Sequence, residues 1–331
     1  MNETTDPIVR VSFEIQPFAR RFVGCAEREV AFVRVEDEMT ARAGFGECAP
    51  LAGLHGESLS DAMSDLEDFL DGTREISALA PSSAFAVSCA LATSEGFGGR
   101  AVPAARVAAF FAGTADELDD NEIARLASAS VIKLKIGRAA VADERRLLEH
   151  ALASFPSARF RLDGNRALSL DDCVSLLRGL DVARFEYLEE PLVDPSQLST
   201  LANSTGIAIA LDESVVDRSP GARALRAQLA RDGVVSAWVL RMSAIGALDD
   251  VYAMAADAAE HQADVVLSTA YESSYTLRLA VHVAAAIPNA RRAHGLGTAH
   301  LLVTDSCAPA LVRDGKLAGD PLPIPLAEAW E

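Results

Sequence analysis

Residues 131–136 read VIKLKI, and their alternation decides the fold. Lys133 and Lys135 are two apart, so in an extended chain both point one way while Ile132, Leu134 and Ile136 point the other. The stretch belongs to a series of short apolar runs. Upstream lies ARVAAF (105–110); downstream come FRLD (160–163), FEYLEE (185–190), IALDE (209–213), AWVLRM (237–242), DVVLST (264–269) and a weaker run at AHGLG (293–297). Segments of helical period separate them, the signature of repeated βα units on a parallel sheet. Eight such units over about 200 residues fit a closed α/β barrel better than an open doubly wound sheet. Neither G-x-G-x-x-G nor G-x-x-x-x-G-K-[ST] follows any of the runs, which excludes dinucleotide and P-loop cradles.

The first hundred residues have a different texture. IVRVSFEI (8–15) and EVAFVRVE (29–36) alternate at period two and predict antiparallel strands, and helical stretches follow at 59–70 and 82–92. This is an α+β unit ahead of the barrel. With 331 residues, 50% of them apolar, the chain can bury a large core. A formal net charge of −18 opposes nucleic acid and anionic membrane as partners. The N-terminal stretch has no basic segment followed by an apolar one, and no later run has the length of a membrane span, so a cytoplasmic protein is expected. Cys25, Cys48, Cys89, Cys173 and Cys307 form no C-x-x-C pair and are odd in number, so they read as reduced packing residues. The six histidines show no metal-binding spacing. The oligomeric state, monomer or homo-oligomer, is not fixed at this level.

The charges at the strand ends carry the chemistry. Charged residues inside a parallel barrel strand are costly unless paired, metal-bound or at the open C-terminal rim. Asp163 ends FRLD, a glutamate lies in EYLEEP and Asp212 lies in ALDES, one βα unit apart each time (189 − 163 = 26, 212 − 189 = 23). Three converging carboxylates repel one another unless a cation sits between them, and an all-oxygen donor set suits Mg²⁺, with Mn²⁺ an alternative. Glu189 and Glu190 face opposite sides of their strand, and alternation does not choose between them. The two lysines of VIKLKI then face the mouth, where a second cation and partial burial are expected to lower a lysine's pKa toward a useful base. Arg161 and Asn165 share the face of Asp163, which gives Arg161 either a place beside the ligand or a structural ion pair. Arg241, in an otherwise apolar strand across the barrel, needs a carboxylate or an anionic or aromatic substrate as partner.

The order Lys-x-Lys, Asp, Glu, Asp, basic residue on successive strands resembles the muconate-lactonizing branch of the enolase superfamily. Within it, GFGECAPLAGLHGES (44–58), PSSAFAVSCAL (81–91) and STAYESSYTLRLAVHVAAA (268–286), together with LDGN, LEEPL and LDES, are similar to the o-succinylbenzoate synthase family. The resemblance covers almost the whole chain. It implies a (β/α)7β TIM-like barrel, residues 101–299, closed by an α+β capping domain, residues 1–100, completed by the tail from about 300 to 331. It implies a carbon–oxygen lyase of menaquinone biosynthesis that dehydrates a small carboxylate. Asp163, Glu189 and Asp212 would hold Mg²⁺, leaving Glu190 a supporting role. Lys135 would take the proton and return it to the leaving hydroxyl, Lys133 would tune Lys135, and Ser268 and the backbone at Gly295 would contact substrate. Arg161 and Asn165 are further candidates for binding substrate.

The chain departs from the family at Arg241. The family places lysine there, usually followed by proline and serine, where this chain reads Arg241-Met242-Ser243. Either an equivalent cation has replaced the lysine or the activity has drifted. The competing readings are an N-succinylamino acid racemase, dipeptide epimerase or cycloisomerase of the same superfamily, and a non-catalytic relative. The last would be expected to lose a ligand or a lysine, and all are present.

Overall fold

The computed structural model describes residues 11–20, 27–37 and 40–329; Cys25 and the first three residues of the strand expected at 8–15 lie outside them. The N-terminal unit is an antiparallel sheet of β1 (Val11–Arg20), β2 (Arg28–Asp37) and β3 (Arg42–Cys48), in that order. The central strand β2 is covered on both faces. Ala31, Val33 and Val35 pack on helices α1 (Leu59–Leu70) and α2 (Pro81–Ser94), while Val30 and Phe32 pack with Phe45 and Tyr275. Helix α1 opens with a capping box in which Ser58 Oγ accepts from the Asp61 N–H at 3.2 Å and Asp61 Oδ2 accepts from the Ser58 N–H at 2.9 Å. The glycines of GFG are explained by close approach: a Cβ on Gly46 would lie 1.9 Å from the Ala86 carbonyl oxygen, and one on Gly44 2.1 Å from that of Ala90. Strand β3 thus rests directly on the backbone of α2.

Strand β4 (Val102–Arg106) pairs antiparallel with β12 (Lys316–Gly319), bringing the C-terminal tail back beside the barrel. The barrel sheet runs in the order β11-β10-β9-β8-β7-β6-β5. Its strands are β5 (Ala109–Phe111), β6 (Val131–Lys135), β7 (Arg159–Asp163), β8 (Phe185–Glu189), β9 (Ile209–Leu211), β10 (Val235–Arg241) and β11 (Asp264–Ser268). All their pairings are parallel. The run expected at 105–110 is split: its first two residues end β4, and the barrel strand starts only at Ala109. The eighth position is filled by the weak run at 293–297, which bridges both neighbours. Val107 pairs with His294 and Ser268 with Gly295, and Gly295 N donates to Leu267 O at 2.8 Å. Those bridges close the barrel.

The alternation in VIKLKI is realised. Ile132, Leu134 and Ile136 are buried in the layer between strands and outer helices, with Leu147 and Leu148, while both lysines enter the lumen. Below them, Tyr187, Ala210, Ala237, Val239 and Val266 fill the barrel interior. No helix among the described residues is long and apolar enough to cross a membrane. Gly46→Ala is expected to cost about 1–3 kcal/mol, the usual penalty for forcing a methyl into a filled space, read as a lower urea midpoint. An unchanged midpoint would refute the direct contact of β3 with α2.

Candidate active site

The strand register sets the site before any side chain is considered. Lys135 pairs with Asp163 and Asp163 with Glu189, so three charged residues share one rung at the C-terminal rim. One step deeper, Lys133 pairs with Arg161 and Arg161 with Tyr187. Asp212 follows β9 immediately, and Arg241 ends β10 beside Ser268 of β11. The two lysines and Arg241 therefore come from the second and sixth barrel strands, on opposite sides of the lumen.

Asp163, Glu189 and Asp212 are almost completely buried. Each is answered by a cation. Lys133 Nζ lies 2.6 Å from Asp163 Oδ2 and 2.7 Å from Glu189 Oε1. Lys135 Nζ lies 2.6 Å from the same Asp163 oxygen and also donates to Asn165 Oδ1. Arg241 grips Asp212 through Nε, 2.9 Å from both carboxylate oxygens, and through Nη2. Burial alone would raise the Asp163 carboxyl, but the charges of Lys133 and Lys135 outweigh it and hold it well below the usual range. Burial, followed by the nearby Asp163 charge, pushes the Glu189 carboxyl up to about 8.

The expectation that a lysine here has a lowered pKa is not met at Lys133. Burial lowers it, yet the attraction of Asp163 and Glu189 is larger and the net shift is upward. Arg241 likewise ends well above its ordinary value, because Asp212 outweighs burial.

Glu190 faces away from the lumen. Its carboxylate accepts from Ser214 N at 2.7 Å, Asp212 N at 3.3 Å and Arg166 Nε at 3.0 Å, so it ties the loops after β7, β8 and β9 together. Asn165, Arg166 and Glu190 all have positive φ, a conformation that costs energy in non-glycine residues and clusters at functional sites. Behind β6, buried Glu144 accepts from the N–H groups of Gly137, Arg138 and Ala139 at 2.7, 2.6 and 3.1 Å, fixing the turn that follows Lys135.

The rungs enclose a chamber of about 70 Å³. Lys133, Lys135, Glu189, Arg241, Ser268 and Gly295 line it, all named from the sequence. Arg161 lines it too, but is chiefly engaged in structure: Nε pairs with Glu186 at 2.7 Å, Nη1 donates to Ala293 O at 2.6 Å, and the guanidinium lies 4.8 Å from the Tyr187 ring centre. Its Nη2 is buried without a hydrogen-bond partner. Asn165 does not line the chamber; it sits between Lys135 and Glu213, with Nδ2 donating to Glu213 Oε1 at 3.1 Å. Sequence reasoning missed Tyr187, Phe110, Tyr271 and Thr298 in the lining. Tyr187 was within reach, being two residues before Glu189 on the same strand face.

Among the described residues no three His, Cys, Asp or Glu side chains are drawn together as a closed metal cage. The carboxylates face ammonium and guanidinium groups instead. Their donor set nonetheless fits a hard divalent cation: every donor is a carboxylate oxygen, and Glu189 Oε2 is buried without any hydrogen-bond partner. An orphaned carboxylate oxygen beside a second buried carboxylate is a place short of positive charge.

This fold and site define a member of the enolase superfamily: residues 119–321 match the family described as enolase C-terminal domain-like, and residues 21–94 the one described as MenC, N-terminal domain. The chain is 31% identical to the o-succinylbenzoate synthase of Enterobacter sp. (strain 638) over 92% of its own length and 91% of that protein's. The crystal structure of o-succinylbenzoate synthase from Thermosynechococcus elongatus BP-1, complexed with Mg in the active site, superposes with a TM-score of 0.69 at 22% identity, covering 97% of this chain and 98% of that one. A dipeptide epimerase from Enterococcus faecalis V583 shares the fold as well, with a TM-score of 0.77, 19% identity, and coverage of 94% and 98%. The chain belongs to the o-succinylbenzoate synthase family.

Proposed function

We infer that this chain is an o-succinylbenzoate synthase, a carbon–oxygen lyase that removes water from 2-succinyl-6-hydroxy-2,4-cyclohexadiene-1-carboxylate in menaquinone biosynthesis. Residues 1–100 with the tail from about 300 act as the cap and 101–299 as the catalytic barrel. The observation that carries the reading is the asymmetry of the chamber: amines on one side, a guanidinium held by a carboxylate on the other. Asp163, Glu189 and Asp212 are the residues that would hold Mg²⁺, or Mn²⁺ in its place. Held there, such an ion would supply positive charge to offset a substrate carboxylate and the charge that develops as the α-proton leaves.

Lys135 takes that proton and returns it to the departing hydroxyl on the same face, so one residue serves as base and acid. Lys133 stays charged between Asp163 and Glu189 and supplies positive potential under the substrate carboxylate. Ser268 and Gly295, adjoining in the chamber wall, border the substrate; a Cβ on Gly295 would stand 3.0 Å from Ser268 Oγ, so the wall has no room for a side chain there. Ligand pockets usually measure about 300–1,000 Å³, and a chamber of about 70 Å³ is far smaller.

The chain's own composition supports this division of roles. Of its 30 lysines and arginines only three are lysine, namely Lys133, Lys135 and Lys316. In a sequence that writes arginine almost everywhere, Lys135 is a lysine where an amine must gain and lose a proton, and position 241 is arginine, where only charge is required.

Activity is expected to require Mg²⁺ or Mn²⁺ and to vanish in chelator, with Asp163→Asn and Asp212→Asn weakening metal binding by calorimetry while the melting curve stays near wild type. Full turnover in EDTA would remove the basis of the reading. Lys135→Ala should lower kcat by roughly 10²–10⁴-fold, the usual contribution of a general acid–base, with substrate still bound; a variant turning over at a tenth of the wild-type rate would move the base elsewhere.

Racemisation separates this activity from its relatives. It needs a proton acceptor on each face of the α-carbon, whereas syn dehydration needs one. Arg241 stays protonated and so serves by charge alone, over the flat dienolate face. Arg241→Lys should keep dehydration within about tenfold, or ~1.4 kcal/mol of barrier. In D₂O, neither enantiomer of an N-succinylamino acid should lose optical activity or gain α-deuterium; rapid exchange from both by NMR would promote the racemase reading instead.

A further inference from the structure

Asn165 has no contact assigned to it by the proposed chemistry, yet it lies in a chain of three polar side chains that begins at the base. Lys135 Nζ donates to Asn165 Oδ1, and Asn165 Nδ2 donates to Glu213 Oε1 at 3.1 Å. We propose that Glu213 is a positioning residue for Lys135, acting through Asn165 by fixing which end of that amide faces the ammonium. The inference rests on Lys135 being the base.

The argument is one of donors and acceptors. A lysine ammonium has three N–H donors and no acceptor. Asp163 Oδ2 and Asn165 Oδ1 take two of them, and Lys135 also lines the chamber, so the third position, a lone pair when the amine is neutral and an N–H once it has accepted the proton, is the one available for exchange with substrate. An asparagine amide carries an acceptor at one end and donors at the other, and its partners decide which way it sits. Turned over, it would set its NH₂ against the ammonium and cancel the arrangement. Glu213 prevents this, because a carboxylate oxygen accepts and so requires Nδ2 on its side.

The setting supports a dedicated role. Asn165 and Arg166 both have positive φ, and this loop is held by Arg166, whose Nε donates to Glu190 at 3.0 Å and whose Nη2 donates to Ser214 Oγ at 2.7 Å. Ser214 is the residue after Glu213, so one clamp fixes both ends of the relay. Glu213 Oε2 is buried with no hydrogen-bond partner, so the bond to Asn165 is what its carboxylate supplies.

The test is a double-mutant cycle on the Mg²⁺-loaded full chain. Glu213→Gln keeps the shape but its amide can donate, freeing Asn165 to turn. The variant should lose roughly ten- to hundredfold in kcat, the range for a lost hydrogen bond to a charged group, with KM within about twofold. Asn165→Ala should lose a similar factor, and adding Glu213→Gln to it should change nothing further. Losses that multiply would overturn the proposal, as would a Glu213→Gln deficit that disappears at higher Mg²⁺, which would place Glu213 with the metal.

A second readout needs no turnover. With three lysines in the chain, ¹⁵N-lysine labelling gives three side-chain signals. Proton exchange at the Lys135 ammonium should quicken equally in Glu213→Gln and Asn165→Ala while Lys133 is unmoved. An unchanged Lys135 signal in Glu213→Gln would overturn the proposal even if folding is intact. A wild type that fails to dehydrate the cyclohexadiene would instead sink the functional reading and leave this arm to decide the positioning role.

Discussion

Three carboxylates buried at the ends of adjacent strands are the constraint around which this barrel is built. At an effective dielectric near 20, unit charges about 5 Å apart repel by roughly 3 kcal/mol per pair, so three of them would cost on the order of 10 kcal/mol. That is comparable with the whole stability of a typical domain. Lys133, Lys135 and Arg241 put positive charge in contact with Asp163, Glu189 and Asp212, and the rise of the Glu189 carboxyl to about 8 relieves part of the repulsion that burial and Asp163 impose on it. In the proposed mechanism the same three cations are the groups that the chemistry uses. Charge balance in the resting site and charge stabilisation during the reaction are thus one requirement met by one set of residues.

The surrounding structure holds those charges in register. Glu144 clamps the turn after Lys135, Glu190 binds the loops after β7 through β9, and Glu186 fixes Arg161 on the Tyr187 ring. On the opposite wall, Ser243, next but one to Arg241, donates to Glu272 at 2.5 Å, and Ser273 and Thr276 donate to Glu47 of β3 at 2.6 and 2.7 Å. The N-terminal sheet is bolted to the wall that carries Arg241 and Ser268. The lysine wall, on the other side of the lumen, is where the proposed mechanism moves a proton.

Much of this was legible in the sequence because two periodicities carry it. Alternation in VIKLKI placed both lysines in the lumen, and the spacing of one carboxylate per βα unit placed the three acids at the rim. What was not legible depended on contacts between distant segments. The first barrel strand begins later than its apolar run because β4 is claimed by the tail strand β12. The pKa of Lys133 rises rather than falls because attraction to two carboxylates exceeds the cost of burial, a balance no single strand reveals. Asn165 shares a strand face with Asp163 by alternation, yet the chain turns to positive φ at that residue and carries its side chain to Lys135 and Glu213. Alternation holds only while the backbone stays extended.

On the proposed mechanism, arginine at 241 in place of the lysine that the family resemblance leads one to expect would narrow a versatile scaffold. A lysine at that position could be deprotonated by burial or a neighbouring cation and so could act as a second base. A guanidinium bound to Asp212 through Nε and Nη2 cannot, and its geometry matches the carboxylate in two places where an ammonium offers one point charge. Replacing lysine by arginine keeps the positive potential that favours a delocalised anion and removes proton transfer from that face. Dehydration on one face survives the change because it never used the second base. On the proposed mechanism, the reactions that need both bases are the ones that arginine at 241 closes off.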